Sequence, residues 1–129
     1  MTREEKIKIQ LDEILEKLPE EFNMQELFTR AEDRTPYVVV SLQECERMNG
    51  LTKEMKRSLK ELDLGLKGEL TISPQMESLG NALFFDNVPD VWSSRAYPSL
   101  HSLGVWFVDL LARIKDLENW VTDFQMPVT

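Results

Sequence analysis

A chain of 129 residues suits one domain, and 42% apolar with 29% charged residues is the balance of a protein that buries a core, which excludes a disordered tail. The net charge of −8 repels phosphate backbones and anionic headgroups, so no nucleic-acid or membrane partner is expected, and no apolar run nears the roughly 20 residues of a membrane span. One cysteine and one histidine exclude an internal disulfide and the common zinc sites built from His and Cys, and the lone thiol points to a reducing compartment.

Glycine is scarce and the β-branched runs are short, so helical periodicity dominates and the sequence reads as all-α. The opening residues Arg3, Glu4 and Glu5 are helical and mostly acidic, unlike a secretory signal or an Arg-rich transit peptide. A first helix is predicted from about Arg3 to Leu18, capped by Thr2, with Glu5 completing a capping box. Ile7, Leu11, Ile14, Leu15 and Leu18 share one face, and Pro19 stops the helix. A short second helix follows the cap Asn23, with Glu26 at the capping-box position. Met24, Leu27, Phe28 and Ala31 form its apolar face, and the polar run from Glu32 to Thr35 breaks it.

Thr35 and Pro36 restart the helical pattern as a cap and a first-turn proline. Val38, Leu42, Cys45, Met48, Leu51, Met55, Leu59, Leu62 and Leu66 then keep helical spacing. The stripe rotates backwards, as a repeat nearer 3.5 than 3.6 makes it do in a left-handed pair or bundle. This predicts one long helix to about Lys67, with Gly68 as its stop. The turn dipeptide Asn49-Gly50 conflicts with it. Glycine costs only about 1 kcal/mol inside a helix, so a continuous helix is preferred, with a break at Gly50 as the alternative.

Glu69 to Ile72 is a short link able to pair as a strand in a larger protein. Ser73-Pro74 repeats the cap and proline for a helix carrying Met76, Leu79, Leu83 and Phe84, ended by Asn87-Val88-Pro89-Asp90. Val91-Trp92 and Ala96-Tyr97-Pro98 read as an irregular segment anchored by aromatics, and a last helix is predicted from about Leu100 to Val121. The expected fold is an irregular bundle of about five helices with one long central helix, a single domain over 1–129.

No phosphate-binding loop is present, so Gly65-Leu66-Lys67-Gly68 reads as a helix end and no cofactor-binding residue is expected. His101, beside Ser99 and Ser102, reads as a solvated first-turn residue and not as a triad base. Cys45 on the apolar face reads as a buried, inert thiol. The pairs Glu4-Glu5, Asp12-Glu13 and Glu20-Glu21 read as solvated faces, and no calcium loop is present, so no metal ligand or catalytic residue is expected.

Two surfaces are less ordinary. Lys53, Lys56, Arg57, Lys60 and Lys67 share one face of the long helix, roughly opposite the Leu/Met stripe. They are either a solvated face or a docking stripe for an acidic neighbour. On the last helix, Leu100, Leu103, Phe107, Leu110, Leu111, Ile114 and Leu117 make one stripe, while Val105, Val108 and Trp120 point away from it. A helix apolar on more than one side is buried on more than one side, which makes these three a candidate inter-domain face. With the apolar ending from Phe124 to Thr129, this gives the expectation of a piece of a larger protein.

Glu61-Leu62-Asp63-Leu64-Gly65-Leu66-Lys67-Gly68-Glu69-Leu70 resembles a stretch near the C-terminus of dynein heavy chains. So does Asn87-Val88-Pro89-Asp90-Val91-Trp92 followed by Ala96-Tyr97-Pro98-Ser99-Leu100. Leu103, Trp106, the run from Asp109 to Arg113, and Trp120 also fit, as does Thr35-Pro36-Tyr37 with the block from Gln43 to Asn49. The resemblance spans essentially all of the sequence and is closest to axonemal outer-arm heavy chains of the beta class. Gly50 departs from it, since the family carries a larger residue there.

The resemblance implies the small helical subdomain of the sixth AAA module and the start of the C-terminal region of a motor in the ciliary axoneme. The implied partner is the rest of the heavy chain, with other subunits and microtubules reached through the parent. The family's ATP and magnesium sites lie in earlier modules and its microtubule-binding tip on a distant stalk, so the implied role is mechanical. A free-standing helical adaptor that binds a partner helix or an acidic surface is the alternative.

Overall fold

The structure, a computed structural model, describes residues 2–30, 36–93 and 101–125. Among them stand six helices: α1 (Arg3–Lys17), α2 (Met24–Arg30), α3 (Pro36–Leu66), α4 (Pro74–Phe84), α5 (Asp90–Ser93) and α6 (Leu103–Gln125). The fold is all-α around a long central helix, and the additional element is the single turn α5, inside the stretch expected to be irregular. The link from Glu69 to Ile72 forms turn and coil and pairs with no strand among the described residues. The breaker from Glu32 to Thr35, Ala31, Ala96-Tyr97-Pro98 and Leu100 lie outside the described residues.

Local chemistry explains the ends. Thr2 Oγ1 accepts from Glu5 N at 3.1 Å and Thr2 N donates to Glu5 Oε2 at 3.1 Å, the reciprocal capping box. Leu18 leaves α1 in an extended conformation, which the following Pro19 enforces. Asn23 Oδ1 accepts from Glu26 N at 3.2 Å and opens α2. Ser73 caps α4, with Pro74 in its first turn.

The long helix ends at Leu66 in a Schellman motif: Glu69 N donates to Leu64 O at 2.9 Å and Gly68 N to Gly65 O at 3.1 Å. Gly68 takes φ +80°, the left-handed conformation that this motif needs and that glycine adopts without strain. α4 ends the same way without a glycine. Asn87 N donates to Ala82 O at 2.8 Å, and Asp86 sits at φ 58°.

α3 runs unbroken for 31 residues, about 46 Å at the usual helical rise. Gly50 does not break it, and space is open where a side chain would stand. Its stripe from Met48 to Leu62 packs with Ile7, Leu11 and Ile14 of α1, Met76, Leu79 and Leu83 of α4, Trp92 of α5, and Leu103 to Ile114 of α6 in one core. Leu27, Leu42 and Cys45 form a second, smaller cluster towards the start of α3. Gly65 is buried, and the terminal methyl of Met76 fills the place of its missing side chain, 2.5 Å from where a Cβ would stand.

Candidate functional site

The basic face of α3 is formed as the spacing predicts, yet most of its charge is already used internally. Arg57 chelates Glu54 at 2.5 Å and Glu61 at 2.8 Å, and the Glu54 carboxylate holds the guanidinium even more firmly protonated than usual. Lys53 lies 3.7 Å from Glu21, Lys56 donates to Pro19 O at 3.1 Å, and Lys67 meets Asp63 at 3.0 Å. Lys60 alone of the five makes no hydrogen bond or ion pair among the described residues. The face therefore clamps the α1–α2 connection onto α3 as well as meeting solvent.

Lys8 of α1 closes on Asp63 of α3, with Asp12 and Lys67 flanking the pair. The hydrogen bond from Lys8 lowers the Asp63 carboxyl below its ordinary range, and the same bond raises Lys8.

α6 starts at Leu103, later than the predicted Leu100, because its first donors are satisfied from outside the helix. Leu103 N donates to Asp86 O at 2.9 Å and Gly104 N to Asp86 Oδ1 at 3.1 Å. One residue thus terminates α4 and caps α6. His101 consequently precedes the helix, exposed, and Ser99 lies outside the described residues.

The proposed inter-domain face divides. Val105 and Val108 are 48% and 65% exposed, on the side of α6 away from the core. Trp120 lies about 120° around the helix from Val108. It turns towards α3, half-covered, with its ring 6.4 Å from that of Tyr37 and packed against the second cluster. Trp120 thus points away from the main stripe, as its phase predicts, and the start of α3 covers part of it while the rest stays exposed.

Two tryptophans that helical spacing left unassigned sit at the centre. Trp92 and Trp106 stack at 6.1 Å with 22° between their planes, and Trp92 Nε1 donates to Ser58 Oγ at 3.0 Å. Trp106 Nε1 is buried without an acceptor among the described residues. Cys45 is fully buried, and loss of solvent pushes its thiol up to about 11, as an inert core sulfur requires. Among the described residues no group of His, Cys, Asp and Glu could hold a metal ion, and no helix is long and apolar enough to cross a membrane.

Comparison with known proteins gives this helical surface its context. The family model for the C-terminal domain of the dynein heavy chain matches residues 1–129. The protein is 69% identical over 125 residues to the ciliary dynein beta chain of Heliocidaris crassispina, covering 97% of its own length and 3% of that relative. It is 62% identical over 129 residues to axonemal dynein heavy chain 17 of Homo sapiens, covering 100% of its own length and 3% of that relative. Over 130 residues it is 48% identical to the flagellar outer-arm dynein beta chain of Chlamydomonas reinhardtii, covering 98% of its own length and 3% of that relative. It thus spans about 3% of the length of these relatives. With one family matched from end to end, the protein belongs to the dynein heavy chains, within their C-terminal domain.

Proposed function

We propose that this protein is a non-catalytic helical segment of an axonemal dynein heavy chain, in the small subdomain of the sixth AAA module and the start of the C-terminal region. There it couples the ring mechanically to the C-terminal region during microtubule-based ciliary movement. The end-to-end match to the family's C-terminal domain carries this reading, supported by the identity to a ciliary beta chain. Its partner is the remainder of the heavy chain, met through the outer face of α6 at Val105 and Val108, while ATP and magnesium belong to other modules of the parent. Packed helices suit such a role because a close-packed core shifts between discrete arrangements and resists smooth deformation.

The test is an axonemal motor with Val105→Glu and Val108→Glu in its heavy chain. Microtubule gliding should slow while ATP binding by the motor persists; undiminished gliding would overturn the coupling role. On the isolated 129-residue protein, calorimetry with ATP and magnesium should be flat, and a saturable heat at micromolar affinity would overturn the non-catalytic assignment.

A further inference from the structure

Two shallow grooves meet at Leu66, where the end of α3 lies beside the first turns of α1 and α4. One, about 510 Å³, runs between Ile9 and Leu66 above the Lys8–Asp63 pair. The other, about 320 Å³, runs from Leu66 to Ile72 over Leu62 and Met76. Their walls expose Ile9 by 51% and Ile72 by 47%. Together they form one apolar trough across an end of the bundle.

With Lys8 and Lys67 paired to Asp12 and Asp63, carboxylates outnumber cations among the remaining charges that line this trough. Arg3 donates to Asn81 and lies with Lys6 over the Phe84 ring, at 5.7 and 4.7 Å, so both cations are held towards α4 and keep their charge. Lys8 and Lys67 both close on Asp63. Glu4, Glu69 and Glu77 have no side-chain hydrogen-bond or ion-pair partner among the described residues. Glu4 lines one groove and Glu77 the other. An apolar floor thus carries a rim of free carboxylates.

We propose that this trough docks a basic amphipathic helix of a protein partner. Apolar side chains one turn apart lie across Ile9, Leu66 and Ile72, and flanking lysines or arginines meet Glu4, Glu69 and Glu77. The rim repels the alternatives. A second copy of the protein brings another net charge of −8, and an anionic lipid surface or nucleic acid meets the same carboxylates.

The test titrates the isotope-labelled protein with a synthetic amphipathic leucine–lysine helix, and with a leucine–glutamate helix of equal length. The lysine peptide should bind saturably and more weakly as salt rises, with amide shifts centred on Ile9, Leu66 and Ile72; the glutamate peptide should not bind. Ile9→Ser with Ile72→Ser changes no charge and touches half-exposed positions, and it should weaken binding about tenfold. Glu4→Gln with Glu77→Gln, at exposed carboxylates, should weaken it about fivefold. Undiminished affinity in the serine variant would mean only general attraction of a cationic peptide to an acidic protein, and would overturn the proposal. Shifts centred on another face, or no saturable binding, would overturn it too.

Discussion

Asn49 belongs to a dipeptide that ordinarily signals a turn, yet it stands inside α3 with its carboxamide holding Phe22. Asn49 Oδ1 accepts from Phe22 N and Asn49 Nδ2 donates to Phe22 O, both at 2.8 Å. Asn49→Ala would strand both main-chain groups and should lower stability in urea unfolding by about 1–3 kcal/mol. The sequence hid this role because turn chemistry is a local pattern, whereas this partner lies 27 positions away. Asp63 gives a pH-dependent counterpart. Its folded pKa is lowered, so its contribution is complete above the ordinary carboxylate range and is lost as pH falls through the lowered value. Lys8, raised, contributes below the ordinary lysine value and loses that contribution as pH rises through its folded pKa. Asp63→Asn should therefore unfold more readily than the parent in urea at neutral pH, and the two midpoints should converge in strong acid.

The helices were legible where their signals are local. Capping hydroxyls, prolines and apolar spacing marked both ends of α1 and α3 and the start of α4 to within a residue, because each acts within a turn of the boundary it sets. The start of α6 was displaced because Asp86, from another helix end, supplies its cap. Gly50 remained ambiguous because its cost is small against the burial of Met48 and Leu51 on either side. With open space at the missing side chain, Gly50→Ala should stabilise the protein by about 0.5–1 kcal/mol. Thermal unfolding reads this directly, and a lower midpoint would mean that α3 bends there in solution.

Taken together, the bundle has a covered and an uncovered side, and α6 shows both. Val105→Glu and Val108→Glu should change the stability of this protein by no more than about 0.5 kcal/mol each. Phe107→Ala or Leu110→Ala, on the buried stripe, should cost roughly 2–5 kcal/mol. Equal, large losses on both sides in a monomeric sample would show that α6 is wrapped by these 129 residues alone. The outward valines of this candidate site were legible from helical phase, and so was the departure of Trp120 from the main stripe, but not the neighbour that half-covers it. An aromatic at the edge of a stripe is claimed by whichever neighbour reaches it, and here Tyr37 does.

The stacked pair of Trp92 and Trp106 makes the position of α6 optically visible. Indoles stacked 6.1 Å apart are close enough for their excited states to couple, and a skew between their transition dipoles then splits their circular-dichroism bands. Trp92 rides on α5 and Trp106 on α6, so a roll or departure of α6 would collapse the splitting even with every helix intact. Trp120, beside Tyr37 at the far end of α6, lies outside the pair and reports separately. The protein thus holds its own two-point gauge of whether its last helix moves as a rigid rod or peels from one end.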